Sequence, residues 1–204
     1  DCRLTEFTLE GISNIQGDFQ CIDYFYVKEF VMPFIRVAGD MTIALNSGSV
    51  NTAAEIEFPK LQEIGGTLTL GTNRNANNIT FPLLKKILGS CSVTTYNLKN
   101  DIEFTNLESI GTDGADAQIK FEIEATNILC PKLKTINGKF DIATSSFMFD
   151  MEVDKVSYPN VESISENLSI TCPYSDFGSN GILSIDFSGL KSAKGISISG
   201  QGDV

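Results

Sequence analysis

Apolar residues in this chain recur in a fixed order rather than at one fixed period. The clearest instance is Ile56-Glu57-Phe58-Pro59-Lys60-Leu61-Gln62-Glu63-Ile64-Gly65-Gly66-Thr67-Leu68-Thr69-Leu70. Ile56 and Phe58 alternate with a polar residue, and so do Leu68 and Leu70, which is the signature of a half-buried strand. Leu61 and Ile64 lie three apart, a spacing a helix could use. That segment is too short for a helix to stand alone, and Gly65-Gly66 then turns the chain. Pro59 closes the first strand, where its missing N–H costs least. Each copy therefore predicts two short strands separated by a turn. Residues 79–93 and 128–142 repeat the order without a gap, and the clear copies start at Ile56, Ile79, Ile102, Ile128, Val156 and Ile185.

One such unit cannot bury its apolar face alone, so the repeats must stack. Equivalent residues then form columns about 4.8 Å apart. The columns are Ile56, Ile79, Ile102, Ile128, Val156 and Ile185; Phe58, Phe81, Phe104, Cys130, Tyr158 and Phe187; and Leu61, Leu84, Leu107, Leu133, Val161 and Leu190. A fourth, Ile64, Ile87, Ile110, Ile136 and Ile164, loses bulk at Ala193. The fold expected is mainly β: a right-handed parallel β-solenoid with coils of about 23–29 residues, the spacing of the start positions. It forms one domain over residues 1–204, with seven or eight coils, of which those at about residues 4–50 are degraded. There, Ile15-Gln16-Gly17-Asp18-Phe19-Gln20-Cys21 matches the second half of the motif with one residue missing. Met32-Pro33-Phe34-Ile35 and the stretch after it form a second divergent copy. Residues 111–117 interrupt the copy that starts at Ile102. An open solenoid end carries unpaired strand edges, which favours end-to-end association unless the end is capped.

Charge narrows the function classes. Fifteen basic residues face 26 acidic ones for a net charge of −11, with no basic run. A nucleic-acid binder needs clustered Lys and Arg, so nucleic acid and anionic lipid surfaces are not expected partners. Histidine is absent, which removes the usual general base and zinc ligand. No metal or cofactor is expected. The apolar runs are far shorter than a membrane span. The five cysteines are irregularly spaced and contain no C-x-x-C pair, so no disulfide framework is expected. Cys91 stands in the place of Leu68, Cys130 in that of Phe58 and Cys21 in that of Leu70, all core positions. Cys2 stands apart as a candidate lipid anchor, although Asp1 ahead of it argues against a clean mature lipoprotein end.

The recurring Phe-Pro-x-Leu-x-x-Ile-x-Gly-x-Leu-x-Leu order resembles the receptor L-domain and leucine-rich-repeat-like group. That group includes insulin-receptor-type ligand-binding domains, fungal wall-anchored proteins and surface proteins of gut bacteria. The resemblance covers about residues 9–200 and is specific for architecture. It implies an extracellular or cell-surface placement and a binding role, with no catalytic residues to carry over. Lacking the dense disulfides of the receptors, the chain is closer to the bacterial surface-protein type.

The best candidate site is the set of segments after each second strand: residues 72–78, 95–100, 143–155 and 173–183. They occupy equivalent positions in successive coils, so they should line one edge. The later ones carry Phe147, Met148, Phe149, Met151, Tyr174 and Phe177, side chains suited to contact with a protein or glycan. Phe147, Phe149, Met151, Tyr174 and Phe177 are the expected ligand-binding residues, unless they fold back as a cap on the last coils. A second candidate is the outward column Glu57, Thr80, Glu103, Leu129, Ser157 and Asp186. Glu57 and Glu103 are two coils apart, about 10 Å, slightly beyond an inverting glycosidase pair at roughly 6.5–9.5 Å. Asp113-Gly114-Ala115-Asp116 places too few ligands for a calcium loop. Two sequons, at Asn78 and Asn167, matter only in a eukaryotic source. The function expected is a non-catalytic, monomeric recognition or adhesion module. The alternatives are a structural spacer in a larger surface protein and a carboxylate-dependent polysaccharide-degrading β-helix.

Overall fold

A computed structural model describes residues 9, 11–22, 29–46, 54–73, 76–96, 102–113, 117–123, 128–144, 155–172 and 184–200. Every strand pair is parallel, and among the described residues there is no helix. The chain is a parallel β-solenoid.

Each full coil has three sides. The leading side carries Glu29–Val31, Ala54–Glu57, Ala76–Thr80, Ile102–Glu103, Ile128–Leu129, Lys155–Ser157 and Ser184–Asp186. The middle side carries two-residue strands from Asn14–Ile15 to Ser163–Ile164, seven in all, and an isolated bridge from Ser163 to Ser192 continues it. The trailing side is the longest sheet, eight strands from Phe19–Ile22 to Gly195–Gly200. Among the described residues the three sides hold seven, seven and eight stacked strands.

The expected pair of strands per copy becomes three. Residues such as Glu63-Ile64, between the Pro and Gly turns, pair with Arg36-Val37 on one side and Lys86-Ile87 on the other. The physical reason is hydrogen bonding. Buried N–H and C=O groups need partners, a segment this short cannot make a helix, and the coils above and below supply them. A second correction concerns the first copy. Ile15 pairs with Val37 and Phe19 with Met41, which in turn pair with Ile64 and Leu68. Residues 15–21 therefore match residues 64–70 with no residue missing. The gap falls instead in the next copy, where Phe34 is buried one position early and takes the place of Leu61.

The columns are as expected. Ile56, Ile79, Ile102 and Ile128 share one register, and Val156 pairs with Ile185. Phe58, Phe81 and Phe104 stack with ring centroids 4.9 Å apart and planes within 11° of parallel. Cys91 pairs with Leu68, Cys21 lies in the column of Leu70, and Cys130 follows the residue paired with Glu103; all three are buried free thiols. The insertion at residues 111–117 leaves the register intact, because Cys91 pairs with Ile119 and Val93 with Phe121.

Cys130 ends the ring stack. With no ring there, Tyr158 turns toward Phe140 and Phe121, and its buried hydroxyl donates to the Ile128 carbonyl at 2.9 Å. At the same level the leading sheet divides into five strands and two, with no ladder between Ile128–Leu129 and Lys155–Ser157. The corner between middle and trailing sides is built of glycine. A Cβ on Gly39 would lie 2.9 Å from the Gly17 carbonyl carbon, one on Gly66 2.8 Å from that of Gly39, and one on Gly89 2.7 Å from that of Gly66. Side-chain oxygens brace this corner. Asp18 Oδ1 accepts the Asp40 N–H at 2.8 Å, Asp40 Oδ1 the Thr67 N–H at 2.7 Å, and Ser90 Oγ the Gln118 N–H at 3.0 Å.

Candidate functional site

In-register stacking decides where the variable segments emerge. Trailing strands end at Ile22, Asn46, Asn73, Tyr96, Ile123, Thr144 and Cys172, and the next leading strands begin at Glu29, Ala54, Ala76, Ile102, Ile128, Lys155 and Ser184. All seven connections between these described strands therefore leave and re-enter along one edge of the solenoid. They are residues 23–28, 47–53, 74–75, 97–101, 124–127, 145–154 and 173–183. The expected loop at 72–78 is mostly strand: Leu68–Asn73 and Ala76–Thr80 leave only residues 74–75 between them. Thr95 and Tyr96 likewise complete a strand. The two longest connections are those that carry Phe147, Phe149, Met151, Tyr174 and Phe177. These five residues, and Cys2, lie outside the described residues.

What the described residues add is the state of the other aromatics. Phe34, Phe58, Phe81, Phe104, Phe121, Phe140 and Tyr158 are buried, and Phe19 and Phe187 pack against the same core. The outward side chains of the trailing sheet are small in most coils: Thr42, Thr69 and Ser92 at one end, Ser169 and Ser197 at the other. Between them stand Lys120 and Asp141, the latter paired with Lys139 at 2.9 Å. Among the described outward side chains Ile22 is the large apolar one, 52% exposed, and none is a tryptophan, tyrosine or arginine of the kind that dominates a binding interface.

A charged column, which the motif alignment did not bring out, runs along the corner between leading and middle sides. Lys85, Glu108, Lys134, Glu162 and Lys191 are linked coil to coil by backbone hydrogen bonds of 2.8–3.0 Å. Their signs alternate, three lysines against two glutamates, so each charge has an opposite one in the neighbouring coil. Lys191 Nζ lies 2.6 Å from Glu162 Oε2, and that hydrogen bond, with the charges of Lys191 and Lys134, holds the Glu162 carboxyl below its ordinary range. Arg36 Nε and Glu63 Oε1 pair in the same manner at 2.8 Å. A regular spacing of single charges in each motif was the available signal.

The acidic column has the expected register: Glu57 pairs with Thr80 and Thr80 with Glu103. At the far end Asp186 accepts the Ser188 N–H of its own coil at 3.1 Å and the Ser157 hydroxyl of the preceding coil at 3.4 Å. Asp113 is exposed, and residues 114–116 beside it lie outside the described residues. The buried thiols are poor nucleophiles. Burial pushes Cys21 up to about 11 and Cys91 up to about 12, and burial, with the help of Cys91, also raises Cys130 well above its ordinary value. The thiolate is the reactive form, and these sites keep the proton at neutral pH.

No protein-family model matches the chain, and neither a curated protein nor a solved structure matches it. Among the described residues no helix is long and apolar enough to cross a membrane.

Proposed function

We propose that the chain is a non-catalytic recognition or adhesion module, secreted or held at a cell surface, that binds a protein or glycan through the connections along its variable edge. The observation that carries this reading is a division of labour. A core of recurring columns runs through the coils, and apart from the insertion at residues 111–117 the large differences in segment length collect at one edge. The described aromatic side chains are committed to the core, and the connections along this edge carry Phe147, Phe149, Tyr174 and Phe177 in the two longest and Tyr24, Phe25 and Tyr26 in the first. The resemblance of the repeat motif to the receptor L-domain group supports the same role and the same extracellular placement. A lipid anchor at Cys2 fits a bacterial surface protein.

Glycan arrays and pull-downs from surface extracts test the reading, with a variant in which residues 145–154 are replaced by a short Gly/Ser link. The variant is expected to lose at least tenfold in affinity for whatever the chain captures, with the melting temperature held within a few degrees. Blank arrays and pull-downs with turnover of a polysaccharide would sink the proposal. A sharp fall in melting temperature would instead identify residues 145–154 as a cap and favour a structural spacer.

A further inference from the structure

Lysines that no run in the sequence brings together are gathered by the fold. Lys60 and Lys132 occupy the same place in the turn between leading and middle sides, three coils apart, with Leu83 and Asn106 between them. Lys85 and Lys134 lie two coils apart in the adjoining corner column, on either side of Glu108. Lys86 stands beside Lys85 on the middle side, in register with Glu63 and Ser109. All five lysines and Glu108 are exposed. Glu63 is taken by Arg36, so among the described residues of this strip Glu108 alone is set against five lysines. Of the chain's 15 basic and 26 acidic residues, ten and 25 are left for everything else. The strip is a cationic line on a strongly anionic protein, bounded by Glu57 and Glu103 on the leading side.

We infer that this strip binds a linear acidic polysaccharide, laid along the solenoid axis with its carboxylates over the lysines. The line is straight because its residues sit in columns of a parallel ladder. Successive coils rise by about 4.8 Å, close to the length that one pyranose ring adds to a linear glycan. A polymer with one carboxylate per sugar therefore keeps step with the coils. The neighbours of the lysines suit a sugar. Ser109 and Thr135 put hydroxyls in register beside Lys86, and Leu83, 42% exposed, offers an apolar contact for the C–H face of a ring. Asn106 donates to the Pro82 carbonyl and accepts from Lys132 Nζ, each at 2.5 Å, which holds that lysine in place before any ligand arrives and lowers the cost of ordering it. Nucleic acid fits less well, since a duplex carries one charge per roughly 1.7 Å and the strip has no aromatic ring on which a base could stack. A broad anionic bilayer would also meet Glu57 and Glu103, whereas a single chain fits between the acidic flank and the middle side. The strip is separated from the variable edge by the whole leading sheet, so this inference does not rest on the reading above.

Alginate, a linear polymer with one carboxylate per sugar, is the probe, in calcium-free buffer of low ionic strength, with dextran as the neutral comparison. In affinity electrophoresis the chain is expected to be retarded by alginate and not by dextran. Added salt is expected to release it, because exposed charges are screened beyond about 8 Å at physiological ionic strength. Lys60→Gln, Lys86→Gln and Lys132→Gln together are expected to weaken binding at least tenfold, with the circular dichroism spectrum and melting temperature unchanged, since all three side chains are exposed. The same number of changes around the trailing side, Lys120→Gln, Lys139→Gln and Lys194→Gln, is expected to leave the affinity within about twofold. Absence of alginate binding, or an equal loss in the two triple variants, overturns the proposal. Equal or tighter binding to DNA or to phosphatidylserine vesicles at the same salt also overturns it, because that result means a general response to polyanions or a membrane surface. Loss of alginate binding on replacement of residues 145–154 would move the site to the variable edge and overturn it as well.

Discussion

Phe81→Ala is expected to destabilise the chain by about 3–5 kcal/mol, the range for truncating a fully buried phenylalanine. Phe81 is the middle ring of three, with its centroid 4.9 Å from both Phe58 and Phe104, and it is completely buried. Its removal leaves a void between two rings held in place by their own coils. The backbone cannot collapse to fill it, because Phe81 sits at the end of a ladder that fixes the spacing of adjacent coils. Aromatic contacts beyond simple burial add about 0.5–1.5 kcal/mol per pair, and two pairs are lost. Urea denaturation measures the effect as a lower midpoint. A loss below about 1 kcal/mol would mean that the stack is not part of the cooperative core. Phe81→Leu is expected to recover part of the loss by restoring volume.

Gly111→Ala is the second large effect, and its cause is backbone rather than packing. Gly111 has φ = 79°, a left-handed conformation that L side chains adopt at a cost of about 1–3 kcal/mol. An added Cβ would also run into the Asn137 carbonyl oxygen of the next coil and lie 3.1 Å from Ala117 Cβ. Forcing a methyl into a packed site costs a further 1–3 kcal/mol or so. The substitution is expected to lower stability by at least about 2 kcal/mol. Gly71→Ala serves as the comparison, since a Cβ there meets nothing within 4 Å, and its midpoint is expected to move little. Equal midpoints for the two variants would show that the corner at Gly111 gives way more easily than its contacts imply.

The architecture was legible because the motif is redundant. Ile, Phe, Leu and Ile recur in order, and any two aligned copies specify the register of the columns, so even the core roles of Cys21, Cys91 and Cys130 could be read from alignment. The middle strands were hidden for a physical reason. A pair such as Glu63-Ile64 has a single inward residue, and two residues cannot display a period of two. The split of the leading sheet was also out of reach. Cys130 in a phenylalanine column announces a missing ring, but the turn of Tyr158 toward Ile128 depends on neighbours from Phe121 to Phe187. The candidate site was legible only as a location. Variable spacing between motifs puts the connections on one edge, yet their aromatic residues belong to no repeat, so no aligned copy fixes what they touch.

The division of the leading sheet at Tyr158 has a mechanical consequence. Between Glu29 and Gly200 the coils transmit load from one to the next on three sides, except at this level, where among the described residues only the middle and trailing ladders cross. The two C-terminal coils, from Lys155 onward, are thus joined to the rest by a thinner weld. Under tension or mild denaturant they should open together ahead of the coils before them. Native-state hydrogen exchange would show this as a shared, lower opening energy for the amides of Lys155–Ser157, Asn167–Cys172 and Ser184–Asp186. A single opening energy along the whole stack would show instead that two ladders carry as much as three.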